Sequence, residues 1–271
     1  MNLKSTVFII VIFSHPASAQ QGDFSLGARS MGMGGAGTAL ADPYSAFNNI
    51  GGAAIPENST LVFSINNLYG LEGLFVLGTS WNQKIRQGAF VTSIYRFGDP
   101  LFSELKIGLG YSHKIHFISL GLQVNYLQQS VENYGTSGTL LIEAGGIVTI
   151  LKGLYFGALI RNPNRARLGH AAPEYLPVIL KAGLAYTPDD LTTLCLDIVS
   201  DDFHGNRIGI GLEYMLKKIV PLRVGAAFNP PGMAAGIGIR LRRLDFDYST
   251  ELDPRLGISG QFSVVYQFLQ Q

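Results

Sequence analysis

Residues that could do chemistry are sparse in this chain, and their spacing excludes most enzyme classes. Cys195 is the only cysteine, so neither an internal disulfide nor a multi-cysteine zinc site can form. His113 and His116 flank a tight turn with no acidic or cysteine partner beside them, and His170 and His204 fall in loops expected to face water. There is no Gly-rich loop followed by Lys-Ser/Thr and no His-Glu-x-x-His. A hydrolase would need a Ser, a His and an orienting Asn or Asp to meet in space, and no spacing suggests it. The expectation is a protein that is not an enzyme, without metal or cofactor. What remains is a set of charges at alternate positions within otherwise apolar stretches: Lys106, Glu143, Lys181, Asp197, Arg207, Glu213, Arg223, Arg240, Arg243, Asp245 and Asp247. A charge-selective pore would show a ring of one dominant sign. These carry both signs, which favours pairs that brace a wall over an ion-selective channel.

The stretches that carry those charges alternate with period two. Ile118, Leu120, Leu122, Val124 and Tyr126 share one face, while Ser119, Gly121, Gln123 and Asn125 share the other. Leu105–Tyr111, Val178–Tyr186 and Ile208–Tyr214 repeat the pattern, with glycine or a charge at the intervening positions. In a soluble sheet something must cover the apolar face, and no amphipathic helix is present to do so. Apolar-out, polar-in strands without an unpaired edge are what a bilayer requires of a sheet. About fourteen strands are expected, at roughly 60–69, 72–81, 87–97, 104–112, 116–127, 138–150, 153–161, 177–187, 191–199, 206–215, 220–228, 232–241, 243–249 and 256–268. Tight links should alternate with longer outer loops. Two aromatic girdles are expected: Trp81, Tyr111, Tyr186, Tyr214, Tyr266 and Phe268 at one interface, Tyr69, Phe97, Tyr126, Phe228 and Tyr248 at the other. The fold class is therefore all-β, a transmembrane antiparallel barrel spanning 57–271, with a large β-sandwich as the competing class.

Composition agrees. Charged residues are 14% of the chain and glycines number 33 of 271, against typical values near 25% and 7%. A net charge of +1 argues against nucleic acid as a partner. Residues 1–19 read as a secretory signal peptide: Lys4, an apolar run from Val7 to Phe13, and Ala17-Ser18-Ala19 before the cut. Residues 20–56 match neither pattern. Gly27 to Ala54 is dense in Gly, Ala and Ser with two charges, Arg29 and Asp42, which suggests a hatch packed in the barrel lumen rather than a mobile linker. Thr38 to Ala41 could form a short helix ended by Pro43, and Arg29 and Asp42 would be natural partners for lumen charges.

The stretch GARSMGMGGAGTALADPYSAFNNIGGAA, followed by this barrel, resembles the FadL-like superfamily of outer-membrane proteins, and most nearly its PorV/PorQ branch, associated with type IX secretion. Gly27-Ala28-Arg29, Met33-Gly34, Ala41-Asp42 and Asn48 to Gly51 stand where that family has its N-terminal phrases, although Asn49-Ile50 replaces the usual Pro-Ala, and Gly35 joins Gly34 among the hatch candidates. The resemblance implies a fourteen-stranded barrel in the outer membrane of a Gram-negative cell, in contact with its lipid. Two functions follow from it: an accessory barrel binding another outer-membrane or secretion-system protein, or a transporter of small hydrophobic molecules around a movable hatch. The short loops favour the first.

Overall fold

The computed structural model describes residues 25–169, 174–203 and 205–269. The expected signal peptide, the start of the 20–56 segment, His170 and His204 lie outside the described residues.

Fourteen antiparallel strands close into a barrel. The first seven are β1 (Ser59–Asn67), β2 (Phe75–Ile85), β3 (Gly88–Gly98), β4 (Phe102–Ile115), β5 (Ile118–Val131), β6 (Gly135–Leu151) and β7 (Leu154–Arg161). A two-stranded pair that is not part of the barrel sheet follows, β8 (Arg167–Leu168) and β9 (Glu174–Tyr175). The barrel resumes with β10 (Ile179–Tyr186), β11 (Thr192–Asp201), β12 (Gly205–Leu216), β13 (Val220–Phe228), β14 (Gly232–Arg240), β15 (Leu244–Asp253) and β16 (Gly257–Phe268). Strand β1 closes on β16 in register from Ser59 opposite Phe268 to Asn67 opposite Gly260, so no edge is left unpaired. No helix among the described residues is long and apolar enough to cross a membrane.

The period-two pattern resolves into outside and inside. Leu120, Leu122 and Val124 are exposed on the outer wall, while Ser119, Gln123 and Asn125 are buried in the lumen. The same alternation runs round the barrel, giving the apolar outer band of a protein embedded in lipid. Depth gives this a test. Leu122 (54% exposed) lies midway between the turn after β4 and Tyr126, whereas Leu101 (61% exposed) lies in a connecting loop. Leu122→Arg should cost about 2–4 kcal/mol and Leu101→Arg about 0–1 kcal/mol, read from unfolding in lipid vesicles. Equal costs would mean that no bilayer surrounds Leu122.

Four expectations change. Most links at the far end from the termini are short too (residues 99–101, 132–134, 202–204, 229–231 and 254–256), because β5, β6 and β15 extend past their apolar stretch as polar paired strands that alternation alone does not reveal. Arg243 does not face the lumen: β15 begins at Leu244, so parity does not apply to Arg243, which is exposed in the turn. Phe97 leaves the girdle, since it shares the inward parity of Val91 and Tyr95 and packs on the interior cluster, and Tyr69 sits in the hairpin loop beyond β1 with φ of 56°. Thr38 to Ala41 is not helical. The backbone N–H groups of Gly37 and Thr38 both donate to Asp197 Oδ2, at 2.8 Å, instead of to a helix. Helical turns flank it instead: α1 (Ala28–Gly32), α2 (Ser45–Asn48) and a 3-10 turn at Ile50–Gly52.

Candidate functional site: the lumen and its N-terminal segment

Between Leu26 and Ala54 the chain lies inside the barrel, and most of its side chains are buried. It is tied to the wall nearly all the way round. The Ala28 N–H donates to Ser263 Oγ on β16, and Ser249 Oγ on β15 donates to the Ala28 carbonyl. Asn82 Nδ2 on β2 donates to the Pro43 carbonyl at 2.8 Å, Ser112 Oγ on β4 to that of Gly51 at 3.2 Å, and Arg161 Nη2 on β7 to that of Phe47 at 3.2 Å. Close approach explains the small residues. Gly34 has φ of +68°, and a Cβ there would overlap the Ala226 backbone of β13.

The lumen charges pair into two main clusters. In the first, Arg223 lies between Glu213 Oε2 at 2.6 Å and Asp247 Oδ1 at 2.7 Å, with its side chain fully buried. Arg29 of α1 reaches the same Glu213 at 2.6 Å and Asp42 at 3.6 Å. Arg240 adds contacts to Asp247 at 3.0 Å and Asp245 at 4.0 Å. Burial pushes the Asp42 carboxyl up to about 6, against the pull of Arg29. In the second cluster, Glu143 Oε1 accepts from Lys106 Nζ at 3.1 Å and Asn125 Nδ2 at 3.0 Å, and Arg161 Nε stands 3.1 Å away. Elsewhere Lys181 Nζ donates to Ser25 Oγ at 2.6 Å, and Arg207 pairs with Glu251 at 2.7 Å. Arg161 was not among the sequence candidates. It is the last residue of β7, whose other inward positions Tyr155, Gly157 and Leu159 carry no charge.

Beside the second charge cluster, on neighbouring positions of the same strands, the lumen carries an apolar patch. Leu26, Phe47 and Ile50 of the internal segment pack with Val76, Val91, Tyr95, Leu127 and Leu141 of β2, β3, β5 and β6. Leu168 and Leu176, from the loop that carries β8 and β9, belong to the same cluster. Cavities enter from both ends and stop on opposite sides of α1. One, of about 380 Å³, is lined by Arg29, Asp42, Tyr44, Glu213 and Arg240 at the end where the barrel begins and finishes. The other, of about 280 Å³, is lined by Ser30, Met31, Leu68, Arg207 and Glu251.

At β6, β7 and β10 the wall itself is thin. Gly145 and Gly157 face inward, and a Cβ on either would overlap the internal segment, at Asn49 Oδ1 and at the Thr38 carbonyl. Directly outside, Gly146 pairs with Ala158 and Ala158 with Ala182, so the lipid-facing side chains are also minimal. They floor an apolar groove of about 710 Å³ walled by Leu120, Val148, Phe156, Ile160, Leu180 and Ile198. Asn49 anchors the inner side of this seam. Its Nδ2 donates to Thr38 O at 2.7 Å and reaches the wall carbonyls of Gly146 at 3.1 Å and Ala158 at 3.3 Å. Asn48 is also buried, with Nδ2 3.5 Å from Ser30 Oγ, and a Cβ on Gly35 would meet Arg207 Nη1 at 2.6 Å.

These features define a transmembrane β-barrel whose lumen is filled by the chain's own N-terminal segment. Three solved structures share the fold over nearly their whole length. The "CymD monoaromatic hydrocarbon channel" is 13% identical at a TM-score of 0.69, covering 92% of this chain and 99% of that one. The Ralstonia pickettii toluene transporter TbuX is 12% identical at 0.70, over 91% and 99%. A Pseudomonas aeruginosa FadL homologue is 12% identical at 0.67, over 92% and 100%. The chain thus has the FadL-type barrel fold. No family model matches the sequence, and no curated protein matches it.

Proposed function

We propose that the protein is an outer-membrane channel of the FadL-like type, admitting small hydrophobic compounds past a hatch formed by its N-terminal segment. The observation that carries this reading is the seam at β6, β7 and β10, where glycine lines the inside, glycine and alanine line the outside, and an apolar groove lies beyond. A hydrophobic solute gains little from the charged axial cavities, whose desolvated ion pairs hold the hatch. It is better matched to the apolar patch on β2, β3, β5 and β6 and to lateral exit at the seam, where the lipid-facing side chains are glycine and alanine. Fold likeness to the hydrocarbon channels supports the same substrate class.

Filling the groove tests this. Ala158→Trp with Ala182→Trp adds apolar bulk on the lipid face, where it should not disturb the lumen. Entry of a small aromatic hydrocarbon into reconstituted vesicles should fall by about tenfold or more, a barrier increase of roughly 1.4 kcal/mol, with the barrel still folded. Unchanged entry would remove the lateral route. A second reading, an accessory barrel of the PorV/PorQ kind, is favoured by exposed Leu71, Leu101, Tyr134, Phe203, Met233 and Leu256 at the loop end, since apolar side chains there suit a protein partner. Affinity purification from native membranes with and without serine at Tyr134 and Met233 tests it.

A further inference from the structure

The two rims of the barrel differ in charge: the one where β1 begins and β16 finishes is basic, and the loop end mixes both signs. At the loop end exposed Glu72, Asp99, Glu132, Glu174 and Asp202 are offset by exposed Arg96, Arg165, Arg167 and Arg255. At the other end, where β1 begins and β16 finishes, five of the six connecting turns are basic. Arg86 follows β2, Lys114 is the last but one residue of β4 beside its turn, and Lys152 follows β6, all exposed. The Lys217–Lys218 and Arg242–Arg243 pairs occupy the turns after β12 and β14. The sixth turn carries Asp189 and Asp190. Asp189 accepts from its own turn's backbone at Leu191 and Thr192, and Asp190 pairs with Lys218 at 3.4 Å; Glu57 is the other exposed acid of this rim among the described residues.

Two further features separate this rim from an ordinary solvated surface. The cations alternate with exposed large apolar side chains (Ile85, Ile115, Phe117, Leu151, Ile219 and Leu241), which belong in hydrocarbon rather than water. That places the flanking charges at the headgroup plane, beside the exposed aromatics Trp81, Tyr111 and Tyr214. Some of these charges also hold backbone positions better suited to Gly or Asn. Lys217 and Lys218 both have positive φ, 50° and 59°, and Arg86 has 42°.

We propose that this rim is a binding surface for the phosphate headgroups of anionic phospholipids, which gather round the turns of the leaflet that faces them. A basic surface at headgroup depth attracts an anionic lipid from a mixed leaflet, and the attraction is screened by salt. The inference rests on the barrel's spanning a bilayer, and the experiment separates the two.

Trp81 is the single tryptophan of the chain and lies on the outer wall at this rim. The protein is reconstituted in phosphatidylcholine vesicles containing, at equal mole fraction, either brominated phosphatidylglycerol or brominated phosphatidylcholine. Tryptophan quenching then reports which lipid sits against Trp81. Phosphatidylglycerol should quench more strongly, with an apparent enrichment of several-fold that shrinks as salt is raised. The variant carrying Arg86→Gln, Lys114→Gln, Arg242→Gln and Arg243→Gln should lose that preference while still running as a closed barrel in cold electrophoresis. Glu132→Gln at the other rim should keep it. Equal quenching by both lipids in the unmodified protein, or a preference that survives in the four-site variant, overturns the inference; the latter would leave the basic turns to an acidic protein partner. Quenching by neither lipid would overturn the bilayer placement itself.

Discussion

Deleting residues 27–54 turns a closed barrel into an open pore. The wall does not depend on the segment to close: β1 pairs with β16 along its full length, and every neighbouring strand pair is laddered independently of residues 27–54. The segment, by contrast, fills the space that the inward glycines leave. Gly209, Gly211 and Gly225 would each meet Met33 or Gly34 if they carried a Cβ, so without the segment the wall there is bare backbone. Eight strands close down to a lumen filled by wall side chains and sixteen to eighteen leave an aqueous channel, so fourteen with a glycine lining should leave a gap for water and ions. Single-channel recording in planar bilayers should show large steady conductance for the deletion and little for the full chain. If both conduct equally little, the wall side chains and the loop carrying β8 and β9 close the lumen by themselves.

Replacing Glu213 by Ala is the largest single-residue effect expected. Glu213 receives Arg223 and Arg29 on its two oxygens, at 2.6 Å each. Arg223 is fully buried and would keep only Asp247, while Arg29 would keep only the longer contact to Asp42. Removing one partner from a buried ion network costs about 3–5 kcal/mol, most of it the charge left behind. Urea unfolding of the reconstituted barrel should show a loss of that order. Arg29→Ala should cost less, since Arg29 is 19% exposed and Glu213 retains Arg223. Because the Glu213–Arg29 pair also pins α1 between the two cavities, Glu213→Ala should raise the frequency of brief conducting events. A loss under 1 kcal/mol would mean that water reaches the cluster and screens it.

Barrel, strand number and sidedness were legible in the sequence because they depend on local periodicity. In a β-strand side chains alternate, and a lipid exterior against a polar lumen writes that alternation directly into residues such as Leu120, Leu122, Gln123 and Asn125. Strand ends were not legible: beyond the apolar band both faces are polar, so the period vanishes while the hydrogen-bonded ladder continues. Parity therefore overreaches at Arg243, and the vanished period makes the loops look longer than they are. Phe97 shows a related limit, since an aromatic at a strand end looks the same whether it faces an interface or an apolar patch inside.

The partners inside the lumen were decided only by closure of the barrel. Parity says that Glu143, Asp197, Glu213 and Arg223 face inward, but it cannot say that Glu213 meets Arg29 from 184 residues away or that Asp197 receives the N–H groups of Gly37 and Thr38. Nor could it show that Gly146, Ala158 and Ala182 lie side by side on the outer face of β6, β7 and β10, with Gly157 beside Gly183 on the inner face and Asn49 against the wall. Alternation is a property of neighbours along one strand. Register between strands and contact with a separate segment depend on where distant parts of the chain meet in space, so the sequence determined the wall of this protein and the tertiary structure alone decided what fills it.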